Sequence, residues 1–318
     1  MKQIRGGVTA AKGFEAAGVE AAIKYQNRKD MALIVSKEPC TVAGTFTSNV
    51  VKAAPVLWDK QIVENSAYAQ AVVVNSGIAN ACTGRQGLEC CEAEAECAGD
   101  LLGVPTNAVL VASTGVIGMQ IPVDKITEGI KKLVAAKADT LEAGSDAAHA
   151  IMTTDTISKE IAIETEIGGK TVTLGGMCKG SGMIHPNMCT MLGFVTTDVK
   201  ISKEMLQKCV SADVVDSFNM ISVDGDTSTN DTLLVLANGM AGNEEITAEG
   251  EDYDNFCKAL HEITTFLAKK MAGDGEGATA LYGSLDIMDY FRFGGAADME
   301  IRAELPAVTA AKLRSELH

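Results

Sequence analysis

Short aliphatic runs, closed by turn residues and separated by stretches of helical period, restrict the fold of this chain more than any other feature. Met31-Ala32-Leu33-Ile34-Val35, Ala71-Val72-Val73-Val74 and Ala108-Val109-Leu110-Val111 are rich in β-branched residues and read as buried strands. Glu160–Ile167 and Thr171–Leu174, joined through Gly168-Gly169, read as a hairpin, and Thr232–Leu236 as a further strand. Val123, Ile126, Ile130 and Leu133 recur at helical spacing behind Pro122, which predicts a helix with proline at its first position. Leu88, Cys91, Ala95, Ala98 and Leu102 predict a second helix, and Phe256, Leu260, Ile263, Leu267 and Met271 a third. Asn238–Asp252, with Gly239, Gly242 and four Glu, reads as a surface loop. Hairpins together with helix-separated strands point to a layered α+β architecture rather than a strictly alternating parallel sheet. From about Ala280 the character changes. Tyr282, Tyr290, Phe291 and Phe293 gather there without a clean strand pattern, and Ala307–Leu317 reads as a short terminal helix.

Charge narrows the function classes. The 318 residues carry 27 Lys and Arg against 42 Asp and Glu, a balance of −15. Such a balance repels a phosphate backbone, so nucleic-acid binding is not expected, whereas an amine-bearing substrate is tolerated. The nine cysteines include no C-x-x-C pair and fit the usage of a reducing compartment. The N-terminus has no apolar signal-like core, and no run of 18 apolar residues occurs. A cytoplasmic protein without a membrane span is expected. Four histidines offer little for a His relay or a His-rich metal cage. His149, His185 and His261 stand alone and read as surface or structural residues. No metal and no cofactor is expected. Asp274-Gly275-Glu276-Gly277-Ala278-Thr279 lacks the ligand ladder of a calcium loop. Templates for serine hydrolases, phosphate-loop enzymes and zinc proteases are absent as well.

Four segments are dense in small polar groups. Met177-Cys178-Lys179-Gly180-Ser181-Gly182-Met183-Ile184-His185-Pro186-Asn187-Met188-Cys189-Thr190-Met191-Leu192 is a glycine-rich loop with a lysine running into an apolar strand that begins at Thr190. A hydroxyl at the mouth of a buried strand beside a lysine is a candidate nucleophile; a capping threonine in front of a core strand is the plainer alternative. Ser113-Thr114-Gly115-Val116-Ile117-Gly118 follows a strand, where hydroxyl and N–H groups can face a ligand oxygen, or where the chain simply turns. Thr153-Thr154-Asp155-Thr156 and Asn75-Ser76-Gly77-Ile78-Ala79-Asn80-Ala81 admit the same two readings.

Taken in order and spacing, these segments and Gly6-Gly7-Val8-Thr9-Ala10 resemble the ornithine acetyltransferase family, the glutamate N-acetyltransferases of arginine biosynthesis. The segment ending at Leu192 is the most specific; the resemblance runs from residue 1 to about Thr279. It implies a layered α/β sandwich of the self-processing kind shared with related aminopeptidases. It also implies a cut between Cys189 and Thr190, which divides the chain into an alpha chain, 1–189, and a beta chain, 190–318. Thr190 would then be both nucleophile and, through its freed amine, general base. Thr114 and Gly115 match the family's oxyanion hole, and Thr153, Lys179 and Glu276 its substrate-binding positions. Lys179 would take a substrate carboxylate and Glu276 the ornithine ammonium.

The resemblance further implies N-acetylornithine, ornithine, glutamate and N-acetylglutamate as small-molecule partners. It implies alpha and beta fragments associated as an alpha2beta2 heterotetramer. Use of acetyl-CoA as a second acetyl donor belongs to the same class, although no Gly-rich nucleotide loop points to it. Two departures stand out: Ile78 where the family commonly has Asn, and Ala280 where it usually has Lys. Residues 280–318 match nothing in the family and read as an atypical, shortened C-terminal region, with self-cleavage expected to survive and acetyl transfer to suffer. The alternatives are a related self-processing amidohydrolase or aminopeptidase, and a truncated protein that cuts itself without transferring acetyl groups.

Overall fold

The computed structural model describes residues 1–182, 191–222 and 228–275. By its contacts the chain divides into Met1–Ala278 and Thr279–His318. The second unit lies outside the described residues, as does the helix expected over 307–317, and the architecture below is that of the first.

A single long strand organises it. Strand β3 (Met31–Phe46) bends at a register shift between Val35 and Cys40 and serves two sheets. Its first part pairs antiparallel with β2 (Phe14–Val19) and β4 (Ala69–Ile78), and β4 pairs parallel with β5 (Val109–Val116). Its second part pairs antiparallel with β9 (Thr232–Ala237). That sheet continues through β8 (Leu192–Thr197), β7 (Lys170–Lys179) and β6 (Lys159–Ile167) to β1 (Lys2–Ile4). The β6–β7 hairpin turns on Gly168 and Gly169, whose φ values of 56° and 70° lie where glycine is favoured, as the Gly-Gly dipeptide predicts.

Alternation along the strands stacks the layers. Ala32 and Ile34 of β3, Val72 and Val74 of β4 and Leu110 of β5 share one core with Met177, Phe194, Leu234 and Leu236 of the other sheet. The intervening residues Met31, Leu33, Val35, Val73, Val109 and Val111 pack instead against α2 (Gly84–Leu102) and α3 (Val123–Ala136). On the far side, α6 (Glu251–Gly273) lies across β6 and β7. Its approach is close: a Cβ on Gly176 would meet Ile263 at 2.8 Å. Each fully buried Ile or Leu in these layers contributes about 1.5–3 kcal/mol. Helices α1 (Ala54–Asn65), α4 (Leu141–Ala150) and α5 (Lys203–Asp213) complete the packing. The result is helices outside two face-to-face sheets, the layered α+β sandwich that the sequence predicts.

Three details differ from expectation. Pro122 is the residue before α3, not its first residue, and its carbonyl accepts from Lys125 and Ile126. Strand β3 is far longer than the run Met31–Val35, because exposed Lys37, Glu38 and Pro39 interrupt the apolar pattern where the chain crosses between sheets. The strand expected from Thr190 begins at Leu192.

Candidate active site

The ends of β5, β7 and β8 meet at one place. Antiparallel pairing sets Lys179 opposite Leu192, and parallel pairing sets Leu192 beside Thr232. Met191 and Asp231 therefore stand one residue outside the paired region, where Met191 N donates to Asp231 Oδ1 at 2.8 Å. From the other sheet comes Thr114, near the end of β5. Gly115 follows it with φ 131°, and a Cβ there would collide with the Gly77 backbone at 2.3 Å, so the two strands approach as only glycine allows.

Lys179 joins these pieces. Its Nζ, 2% exposed with the rest of the residue, donates to Thr153 Oγ1 at 2.8 Å and Thr114 Oγ1 at 3.2 Å. A hydroxyl that accepts from an ammonium keeps its own proton to give elsewhere. Both threonines are thus set to donate into a cavity of about 470 Å³ that they line together with Gly115, Ser76 and Gly77. The basic rim comes from the loop between β2 and β3, where Lys24, Tyr25 and Arg28 line the same cavity. Arg28 also donates to the carbonyls of Met152 and Thr153, bracing the segment that carries Thr153.

Behind the cavity wall lies a buried ion network. Asp155 Oδ1 accepts from Lys159 Nζ at 2.7 Å and from Gly180 N at 2.7 Å, and its Oδ2 accepts from Thr153 N at 3.0 Å. Lys159 also donates to Asp274 at 2.6 Å, and Asp274 in turn accepts from the Thr156 N–H and hydroxyl. Burial opposes the charge on Asp155, but Lys179 and Lys159 outweigh it and hold the carboxyl below its usual range. Burial likewise opposes the charge on Lys159, yet its two carboxylate partners keep its ammonium above the usual range. Lys179 is different. Asp155 Oδ2 is 4.0 Å away, and burial prevails, lowering its pKa. Of the two lysines, Lys179 is the one that gives up a proton more easily.

Of the residues singled out from sequence, Thr114, Gly115, Thr153 and Lys179 come together here. Lys179 stands beneath the two hydroxyls rather than on the cavity wall. Cys189, Thr190 and Glu276 lie outside the described residues, as does His185. Asp274, weighed as part of a metal loop, is committed to Lys159 and Thr156. His149 and His261 stay away from the cavity, bonded to Ser145 and Asp213 respectively. Sequence reasoning passes over Lys24, Arg28 and Asp231, which sit in segments whose only signals are a charged loop and a carboxylate before an apolar strand.

The L-aminopeptidase D-Ala-esterase/amidase of Ochrobactrum anthropi, a variant of the N-terminal-nucleophile hydrolase fold, superposes with a TM-score of 0.52 over 87% of this chain and 88% of its own. At 12% identity that likeness concerns the fold alone. The profile of the ArgJ family matches residues 15–284. The arginine biosynthesis bifunctional protein ArgJ of Symbiobacterium thermophilum is 52% identical over 283 residues, covering 88% of this chain and 70% of that protein. An ArgJ of Clostridium acetobutylicum is 50% identical over 86% of this chain and 66% of its own length. Ornithine acetyltransferase of Mycobacterium tuberculosis, solved in complex with ornithine, is 39% identical with a TM-score of 0.54, over 60% of this chain and 99% of that one. The chain belongs to the ArgJ family, acyltransferases of arginine biosynthesis. It spans about two thirds of the length of the two ArgJ relatives compared.

Proposed function

We propose that this protein moves an acetyl group from N-acetylornithine to glutamate through an acetyl-Thr190 intermediate, after cutting itself between Cys189 and Thr190. The observation that carries the reading is the convergence of Thr114, Thr153 and Lys179 beside Met191, the residue bonded to Thr190. In the uncut chain the Thr190 hydroxyl attacks the Cys189 carbonyl, the acyl group shifts from nitrogen to oxygen and so frees the Thr190 α-amine, and hydrolysis of the ester then releases the Cys189 carboxylate and restores the Thr190 hydroxyl. An α-amine has a reference pKa of about 7.7–8.0, so it serves as a base near neutrality where a lysine does not. Thr190 Oγ then attacks the acetyl carbonyl, and the donor hydroxyl of Thr114, with Gly115 beside it, stabilises the oxyanion. Ornithine leaves, glutamate enters, and the same steps run backwards onto its amine, which gives ping-pong kinetics.

In this reading Thr153 and Lys179 shape the substrate end of the cavity, and Glu276 takes the ornithine ammonium. The ammonium of Lys179 acts on a substrate carboxylate from beneath the threonine hydroxyls. Residues 1–189 and 190–318 form the alpha and beta chains. They stay associated because β7 and β8, on either side of the cut, are hydrogen-bonded neighbours. An alpha2beta2 assembly and a cytoplasmic location complete the proposal; among the described residues no helix is long and apolar enough to cross a membrane. The aminopeptidase reading rests on fold likeness alone. A denaturing gel with intact-mass measurement tests the central step. Wild type is expected to give fragments 1–189 and 190–318, and Thr190→Ala a single uncut chain without acetyl transfer; a normally cut Thr190→Ala chain refutes the assignment.

A further inference from the structure

Asp231 is a buried acid that the proposed chemistry leaves unused. It is 0% exposed and sits immediately before β9, deep in the sheet that carries Lys179 and Met191. Its backbone is engaged, since its carbonyl accepts from Thr47 N at 3.0 Å. One side-chain oxygen, Oδ1, accepts from Met191 N at 2.8 Å. The other, Oδ2, is buried and makes no hydrogen bond of good geometry to a described residue, although the Ser228 side chain stands by the carboxylate. An unmade hydrogen bond on a buried polar oxygen costs about 1–3 kcal/mol, and a fold retains one where something else uses it.

Covalent geometry supplies the candidate. Met191 N is bonded to the Thr190 carbonyl carbon, so bond lengths alone keep the Thr190 nitrogen within about 4 Å of Met191 N. A carboxylate that holds Met191 N by one oxygen leaves its other oxygen for a group one residue along the chain. We propose that Asp231 is a positioning residue for the nucleophile: Oδ1 fixes the Thr190–Met191 peptide, and Oδ2 receives the α-amine of Thr190 once the chain has been cut. The inference rests on the proposed function, in which that amine is the general base.

The role parallels that of the aspartate in a Ser-His-Asp triad, which orients the base and stabilises the cation it becomes. As Thr190 Oγ forms its bond to the acetyl carbon, the Oγ proton passes to the α-amine and the carboxylate of Asp231 faces the resulting ammonium. As the carbon–nitrogen bond to ornithine breaks, that proton passes to the departing nitrogen and the amine is restored. Charge in the pocket is consistent with this. Burial pushes the Asp231 carboxyl up to about 7, while the Met191 N–H, the Ser228 side chain beside it and the Lys179 ammonium pull the other way. A new ammonium alongside favours the carboxylate further.

The test reads the α-amine directly and needs no turnover. Purified wild type, Asp231→Asn and Asp231→Glu are treated with cyanate across a pH series. Carbamylation of the peptide beginning at Thr190 is followed by mass, and thermal unfolding is recorded alongside. A carboxylate partner raises the amine's pKa, so its loss should move the carbamylation midpoint of Asp231→Asn to lower pH by about 1 unit or more. Asp231→Glu should restore it, whatever either substitution does to the unfolding temperature. A cut Asp231→Asn chain with the wild-type midpoint overturns the assignment and leaves the function standing. A folded Asp231→Asn chain that remains uncut supports the assignment if Asp231→Glu restores cutting, and counts against it if not. A wild-type chain with no cut before Thr190 overturns the proposed function and this inference together.

Discussion

Two groups of buried acids live under opposite conditions. Asp155 and Asp274 share Lys159, collect N–H and hydroxyl donors as well, and are held below the usual carboxylate range. Asp59 of α1 and Glu94 of α2 lie between helices and sheet with no cation in contact among the described residues. Burial pushes Glu94 up to about 8 and Asp59 well above its ordinary value, with Glu94 itself raising Asp59 further. In the first group the partners favour the charged form and the network backs the cavity wall; in the second, burial favours the protonated form. Burial alone does not make a charge; partners do.

Removing the shared cation breaks the comparison most forcefully. Lys159→Met leaves Asp155 and Asp274 buried without their partner, and breaking a buried pair from one side costs about 3–5 kcal/mol. Urea unfolding at neutral pH should show that loss; a change below about 1 kcal/mol would mean the network carries little.

pH separates the groups next. Asp155 and Asp274 have depressed pKa values, so their contribution is present above the unfolded carboxylate pKa and is lost as pH falls through the folded values. Glu94 runs the other way. The folded state prefers its protonated form, so stability is greatest below the ordinary Glu range and declines as pH rises towards about 8. Glu94→Gln should remove part of that alkaline decline, on the order of 1–4 kcal/mol across the window, and leave the acid limb intact. Parallel wild-type and variant stability curves would show that Glu94 is charged in the fold.

The smallest effect belongs to Asp59. Its Oδ1 accepts from Val111 N at 2.8 Å, a bond that an amide oxygen makes equally well. Asp59→Asn should therefore shift unfolding by less than about 1 kcal/mol at neutral pH, since burial already favours the uncharged side chain. A loss of several kcal/mol would place a charge where the comparison has none.

The sandwich is largely legible in the sequence. Runs such as Ala71–Val74 and the 3–4 spacing from Phe256 to Met271 report burial directly, because the period of the apolar residues is the period of the element. Gly168-Gly169 announced its hairpin for an equally local reason. What escaped was non-local. Strand β2, Phe-Glu-Ala-Ala-Gly-Val, is too poor in large apolar residues to stand out, and it exists because β3 offers it an edge. The crossing at Lys37–Pro39 disguised one strand as a fragment.

The site divides in the same way. Thr114, Gly115, Thr153 and Lys179 were legible through the motifs that resemble the ornithine acetyltransferase family. Asp231 and Arg28 were not, because a carboxylate or guanidinium declares itself only once a distant segment, Met191 or Thr153, is folded against it. The pairing of Lys159 with Asp274 spans 115 residues and leaves no local trace.

The proposed transfer turns on a covalent acetyl group at Thr190. Brief mixing of the cut protein with N-acetylornithine, acid quenching and peptide mass mapping should find one acetyl group on the peptide that begins at Thr190, and none when glutamate is added before the quench. Acetyl transfer to glutamate with no such adduct at any quench time, or with the acetyl group on another residue, would contradict it.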